Sequence, residues 1–113
     1  MFNWLKRKKT FLEKWTFGNI VDFDMIQNQD SVQYVSKDGT RVIYLSALNV
    51  SPGNMLSMGT KVNELTIKEN ESGWQLNGTK QYANQILICV FSVGEKDDIV
   101  WANEFYNSIK PNI

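Results

Sequence analysis

The chain has 113 residues, 42% hydrophobic and 21% charged, with 12 basic and 12 acidic side chains and a formal net charge of zero. Such a composition describes one ordinary globular domain, too short for a second and too apolar to be disordered. The absence of histidine excludes Ser-His-Asp and Cys-His catalytic arrangements and HExxH metal sites, and a single cysteine excludes an internal disulfide and a cysteine-rich zinc site.

The charge is unevenly placed. Residues 1–14 carry Lys6, Arg7, Lys8, Lys9 and Lys14 against Glu13, a net +4, and the rest of the chain carries −4. Wound as a helix, Trp4, Leu5, Phe11, Leu12 and Trp15 fall in an arc of roughly 120°. The sequence thus divides into a basic amphipathic segment over 1–14 and a single α+β domain over 15–113. Three readings of the segment stay open, one of them that it lies weakly on an anionic membrane surface. Its cations can face an acidic partner, with Lys6, Arg7, Lys8 and Lys9 as the candidate partner-binding residues, or its aromatics can dock on the domain while the lysines are solvated. Glu13 and Lys14 interrupt any secretory apolar stretch, and the longest apolar run, Ile86–Phe91, is far too short to cross a bilayer. The expectation is a cytoplasmic protein with no stable membrane anchor. An anionic body also lacks the basic face that nucleic-acid binding requires.

Along the chain, Asp38-Gly39 sits between two segments rich in β-branched and aromatic residues, Ser31–Ser36 and Thr40–Leu48. This predicts a β-hairpin closed by a two-residue type I′ turn. The second strand places Val42, Tyr44, Ser46 and Leu48 on one face and Ile43, Leu45 and Ala47 on the other. Apolar residues on both faces predict a central strand covered on both sides. Ser51-Pro-Gly-Asn54 breaks the strand, and 55–65 shows helical spacing weakened by Gly59. Residues 69–73 form a polar loop.

Residues 74–82 alternate, with Gln75, Asn77, Thr79 and Gln81 on a solvated side, and Asn77-Gly78 fits either a turn or a bulge in one long strand. Residues 84–93 form the strongest strand, with Ile86, Ile88 and Val90 opposed to Leu87, Cys89, Phe91 and Val93. From Asp98 onward, Ile99, Trp101, Ala102, Phe105, Tyr106 and Ile109 share an arc of roughly 160°. This predicts an amphipathic helix with Asp97 and Asp98 at its start, Pro111 as its stop and Val100 alone on the polar side.

Chemistry has few footholds here. Cys89 lies within an apolar run, where desolvation quenches a thiolate. Asp22 and Asp24 alternate and would share a strand face, as a metal or acid/base pair would require, but nothing else converges on them. The seven glycines form no phosphate-binding pattern. No catalytic residue, metal ligand or cofactor is assigned.

Residues 73–111 read Gly-Trp-x-Leu-x-Gly, then a long apolar strand, then a helix finishing Phe105-Tyr-Asn-Ser-Ile-Lys-Pro111. This string resembles the ending of PsbP-like domains, and the hairpin, helix and Trp-x-Leu order before it follows the same pattern. The resemblance implies an α-β-α sandwich, a largely antiparallel β-sheet covered by helices, that binds other proteins rather than catalysing. Among small bacterial members it implies toxin-neutralising immunity proteins. No family residue carries over. The expected function is therefore a non-enzymatic protein-binding module of that immunity type. The alternative is a small-ligand- or metal-binding domain, or an unrecognised enzyme, built on Asp22, Asp24 and four tryptophans that can line a pocket.

Overall fold

The Asp38-Gly39 hairpin forms, but with a longer turn than the dipeptide suggests. In the computed structural model, which describes residues 15–49, 65–82 and 85–111, strand β3 (Ser31–Ser36) pairs with β4 (Arg41–Asn49) across the four residues 37–40. Gly39 has φ +76° and donates its N–H to the Ser36 carbonyl at 2.9 Å. The expected two-residue turn is replaced because Asp38 Oδ1 gathers three donors: Ser36 Oγ at 2.8 Å, Thr40 Oγ1 at 2.9 Å and Thr40 N–H at 3.1 Å. Ser36 Oγ in turn accepts the Arg41 N–H at 3.0 Å. These side-chain bonds hold a wider loop more firmly than a bare dipeptide turn would.

The other strands are β1 (Trp15–Thr16), β2 (Phe23–Gln27), β5 (Thr66–Asn70), β6 (Gly73–Tyr82), β7 (Gln85–Val93) and β8 (Lys110–Pro111), with one described helix, α1 (Asp98–Ser108). Six strands form an antiparallel sheet in the order β2-β3-β4-β7-β6-β5, and β1 pairs with β8 separately. The central pair, β4 and β7, stays in register from Arg41↔Val93 to Asn49↔Gln85. The loop expected at 69–73 is tighter than its polarity suggests, because Glu69 and Asn70 belong to β5 and only residues 71 and 72 turn the chain.

Asn77-Gly78 makes neither turn nor bulge, since β6 runs through it with Gly78 opposite Cys89 in unbroken register. The glycine serves the packing instead. A β-carbon there would lie 2.8 Å from Tyr106 Cε1 and 2.8 Å from Leu65 Cδ2, so the missing side chain is the notch into which α1 sets Tyr106.

The core lies between one sheet face and α1. Ile43, Leu45, Leu76, Leu87, Cys89 and Phe91 are fully buried beneath Ala102, Phe105 and Tyr106. Phe91 is the hub, with its ring edge-on to Trp101, Phe105 and Tyr106 at centroid separations of 6.2, 5.9 and 6.4 Å. Residues 15–23 lie along the same side. Trp15 donates Nε1–H to Gln85 Oε1 at 2.6 Å, Phe17 touches Tyr34 and Phe105, and Phe23 stacks on Trp101. The helix ends at Ser108, one residue before the last apolar position of its stripe. Lys110, preceding Pro111, is disfavoured from helical geometry, and Ser108 Oγ donates to the Phe105 carbonyl while accepting the Gly18 N–H.

The α-β-α sandwich is therefore corrected. The described residues are dominated by antiparallel strands and carry one helix on one face of the sheet. Apolar residues on both faces of β4 and β7 suggested two covering layers. Among the described residues α1 covers one face alone; on the other Tyr44 and Leu48 stay exposed, and Ile88 and Val90 are half-buried.

Candidate interaction face

Period-two alternation sends every second residue of the sheet away from α1. Reading the register across the strands, one row on that far face is Ile26, Gln33, Tyr44, Val90, Asn77 and Thr66, and the next is Asp24, Val35, Val42, Ser92, Gln75 and Lys68. The apolar members gather over β2, β3, β4 and β7, while β6 contributes the amide and hydroxyl row Gln75, Asn77, Thr79 and Gln81. Ile26 is 53% exposed, Leu48 41% and Tyr44 37%. Val35, Val42, Ile88 and Val90 are half-buried, and Ile86 is buried. Among the described residues no element lies over these rows. The face taken from the sequence as covered is open at Tyr44 and Leu48, and the missed signal was the Tyr and Ser that β4 mixes into it.

At the hairpin end the sheet carries two shallow concavities. One, of about 420 Å³, borders the open face and is lined by Val42, Ser92, Trp74, Asn70, Ser72 and Gly94 among others. The other, of about 580 Å³, lies on the helix side and is lined by Asp22, Phe23, Lys37, Asp38, Arg41 and Asp98 among others.

Both cations of the second concavity are engaged by carboxylates. Lys37 Nζ meets Asp24 Oδ1 at 2.8 Å, and that hydrogen bond, with the carboxylate's charge, raises the ammonium above the usual lysine range. Arg41 reaches Asp98 Oδ1 at 2.7 Å with its guanidinium 4.7 Å from the Trp101 ring centroid. The Ser36 and Thr40 donors hold Asp38 down at about 2. Both cations have a carboxylate partner, and the carboxylate that the Ser36 and Thr40 hydroxyls face, Asp38, is too acidic to serve them as a general base.

The structure places the residues singled out in the sequence as follows. Lys6, Arg7, Lys8 and Lys9 lie outside the described residues, as does most of the 55–65 segment. Asp24 sits on β2 and Asp22 in the turn before it. Asp22 therefore does not share a strand face with Asp24, and Asp24 is engaged by Lys37. Asp97 takes the helix N-cap position but makes no side-chain cap bond, and Asp98 turns to Arg41 rather than to the helix backbone. Cys89 is fully buried, and burial pushes its thiol up to about 12, which removes it as a nucleophile at neutral pH. Among the described residues no group of three His, Cys, Asp or Glu side chains could hold a metal ion, and no helix is long and apolar enough to cross a membrane.

No protein-family model and no curated protein matches the chain. A crystal structure from Bacteroides thetaiotaomicron VPI-5482, at 1.50 Å resolution, is similar in fold with a TM-score of 0.57 at 12% identity. The match covers 88% of this chain and 48% of the other, so the chain spans about half the length of that neighbour. Neither the PsbP-like resemblance nor the immunity role drawn from it receives support from these matches.

Proposed function

We propose that the protein is a non-catalytic binding module that docks another protein on its open sheet face. The observation behind this reading is the apolar cluster of Val35, Val42, Tyr44, Ile88 and Val90, with exposed Leu48 and Ile26 set off from it by Ser46 and Gln33 and the polar row of β6 along its border. An apolar centre with a hydrogen-bonding rim is the usual anatomy of a protein interface, and surfaces of this kind mark interaction sites on soluble domains. The concavity beside Val42 gives a partner's side chain a place to anchor. From Trp15 onward the chain carries −4, so the fitting partner sets its apolar anchors within a basic surround, and its association slows as salt rises. A single buried thiol makes no demand for an oxidising compartment, and we place the protein in the cytoplasm. The small-ligand and metal alternatives have less behind them, because Asp24, Asp38 and Asp98 are each already engaged within the molecule.

The test is capture from host lysate on the immobilised full chain, with Tyr44→Glu and Leu48→Glu variants alongside. The reading requires one stoichiometric partner that the wild type retains and both variants bind more than about tenfold more weakly, while each variant melts close to wild type. A partner retained equally by both folded variants, or a protein that holds only a small molecule, overturns it.

A further inference from the structure

In an antiparallel ladder, residues alternate between pairs that exchange both backbone hydrogen bonds and pairs that exchange none. The Asn28 N–H donates to the Ser31 carbonyl at 2.9 Å, which fixes 28 and 31 as an exchanging pair. With the observed register, Ile26↔Gln33 and Asp24↔Val35 also exchange, and Met25↔Tyr34 does not. The other side of β3 gives the same phase. The Ala47 N–H reaches the Asp30 carbonyl at 3.4 Å, so Val32 and Tyr34 direct their backbone groups to β4. The N–H and C=O of Met25 therefore point out of the sheet, along the side of β2 that no described strand pairs. Phe23 points the same way, and its N–H is taken by the Ile20 carbonyl at 3.0 Å.

The two sheet edges differ. β5 is exposed throughout and sets Lys68 beside Glu69, charges of the kind that deter strand pairing. β2 holds one charge, Asp24, neutralised within the molecule by Lys37, and around it Val21 is 75% exposed, Ile26 53% and Met25 45%. We propose that the β2 edge pairs with β2 of a second copy, antiparallel about a twofold axis at Met25, so that one sheet runs through both molecules. In that register Met25 exchanges both bonds with its own copy, Asp24 faces Ile26, and Phe23 faces Gln27. An axis at Asp24 would instead oppose like charges. The edge is five residues, roughly 17 Å. It falls short of the ~1,200 Å² that a stable interface buries, so the dimer is reversible and fills at high protein concentration. The pairing uses the edge and does not depend on the partner proposed for the open face.

Sedimentation velocity of the full chain from about 10 μM to about 1 mM tests this across the affinity range of such contacts. Met25→Pro removes an outward N–H and nothing from the β3 ladder, a placement that edge strands tolerate. Two interchain hydrogen bonds are then lost, and the dimer weakens about 30-fold with circular dichroism unchanged. Ile26→Glu, which leaves the backbone untouched and sets a second carboxylate opposite Asp24, disperses the dimer as well, whereas Ile67→Lys on the β5 edge leaves it intact. A monomer at every concentration, a dimer that survives both β2 variants, or one broken by Ile67→Lys overturns the proposal.

Discussion

Replacing Gly78 by alanine tests whether the notch in β6 seats the helix. In an unobstructed strand the substitution would stabilise the protein, since glycine in a strand interior costs roughly 0.5–1 kcal/mol relative to alanine. Here the new methyl meets Tyr106 Cε1 and Cζ at 2.8 and 2.9 Å and Leu65 Cδ2 at 2.8 Å. The Leu65 methyl ends a flexible side chain and can swing aside. The Tyr106 ring cannot readily follow. It is 1% exposed, its hydroxyl donates to the Thr79 carbonyl at 2.6 Å, and Lys80 Nζ lies 4.2 Å from its centroid. Overpacking of this kind costs about 1–3 kcal/mol; set against the strand preference, the midpoint of that range leaves a net loss of about 1 kcal/mol and its upper end about 2.5 kcal/mol. Urea unfolding of Gly78→Ala should show a lower midpoint at an unchanged slope. Leu65→Ala in the same chain should not rescue it. Gly94→Ala is the control, because its β-carbon would meet nothing within 4 Å, and it should be neutral or slightly stabilising. If Gly78→Ala is as stable as wild type, Tyr106 is not seated as described and the reasoning fails.

Gly39→Ala should destabilise by about 1–2 kcal/mol from backbone strain alone, since its φ is +76° in open space, and Gly39→Asn should recover part of that loss in the same melts. Trp15→Phe takes the Nε1–H donor from the buried Gln85 side chain and should lower stability by about 1–3 kcal/mol, read by urea titration. The folded-state pKa of Asp38, about 2, lies below the ordinary 3.8, so the stability this group supplies is complete above the unfolded value and lost as pH falls through the folded one. The difference in urea midpoint between wild type and Asp38→Ala should thus be constant near neutrality and shrink from about pH 4 toward 2; a difference that grows on acidification would contradict this. Cys89 should resist a thiol-specific disulfide reagent at pH 8 and react fully in denaturant, because its thiol is buried and pushed up to about 12; stoichiometric labelling of the native protein would show that the core opens readily.

The hairpin at Asp38-Gly39, the alternation of β7 and the stripe of α1 are properties of short stretches. They were legible because side-chain periodicity and φ preferences act over a few residues. The exposed Val100 on α1 was legible for the same reason. Which residues close the hairpin was not, because the Asp38 carboxylate competes for donors that a turn dipeptide does not specify. The function of Gly78 was also hidden. A glycine reads as a turn until the aromatic that occupies its missing side chain, 28 positions later in the chain, is known.

The engagement of Arg41 with Asp98 and Trp101, and of Asp24 with Lys37, joins residues from different elements, so neither could be read from spacing. The open face depends on tertiary structure most of all. Val42, Tyr44 and Leu48 show which side of β4 they occupy. Whether another layer buries that side is set by where the rest of the chain travels, and α1 packs against the opposite face, under which Leu45, Cys89 and Phe91 lie. Local sequence determined the strands and their faces. Only the assembled sheet decided which face became core beneath α1 and which kept Tyr44 and Leu48 exposed, because burial is a property of the neighbours that packing supplies.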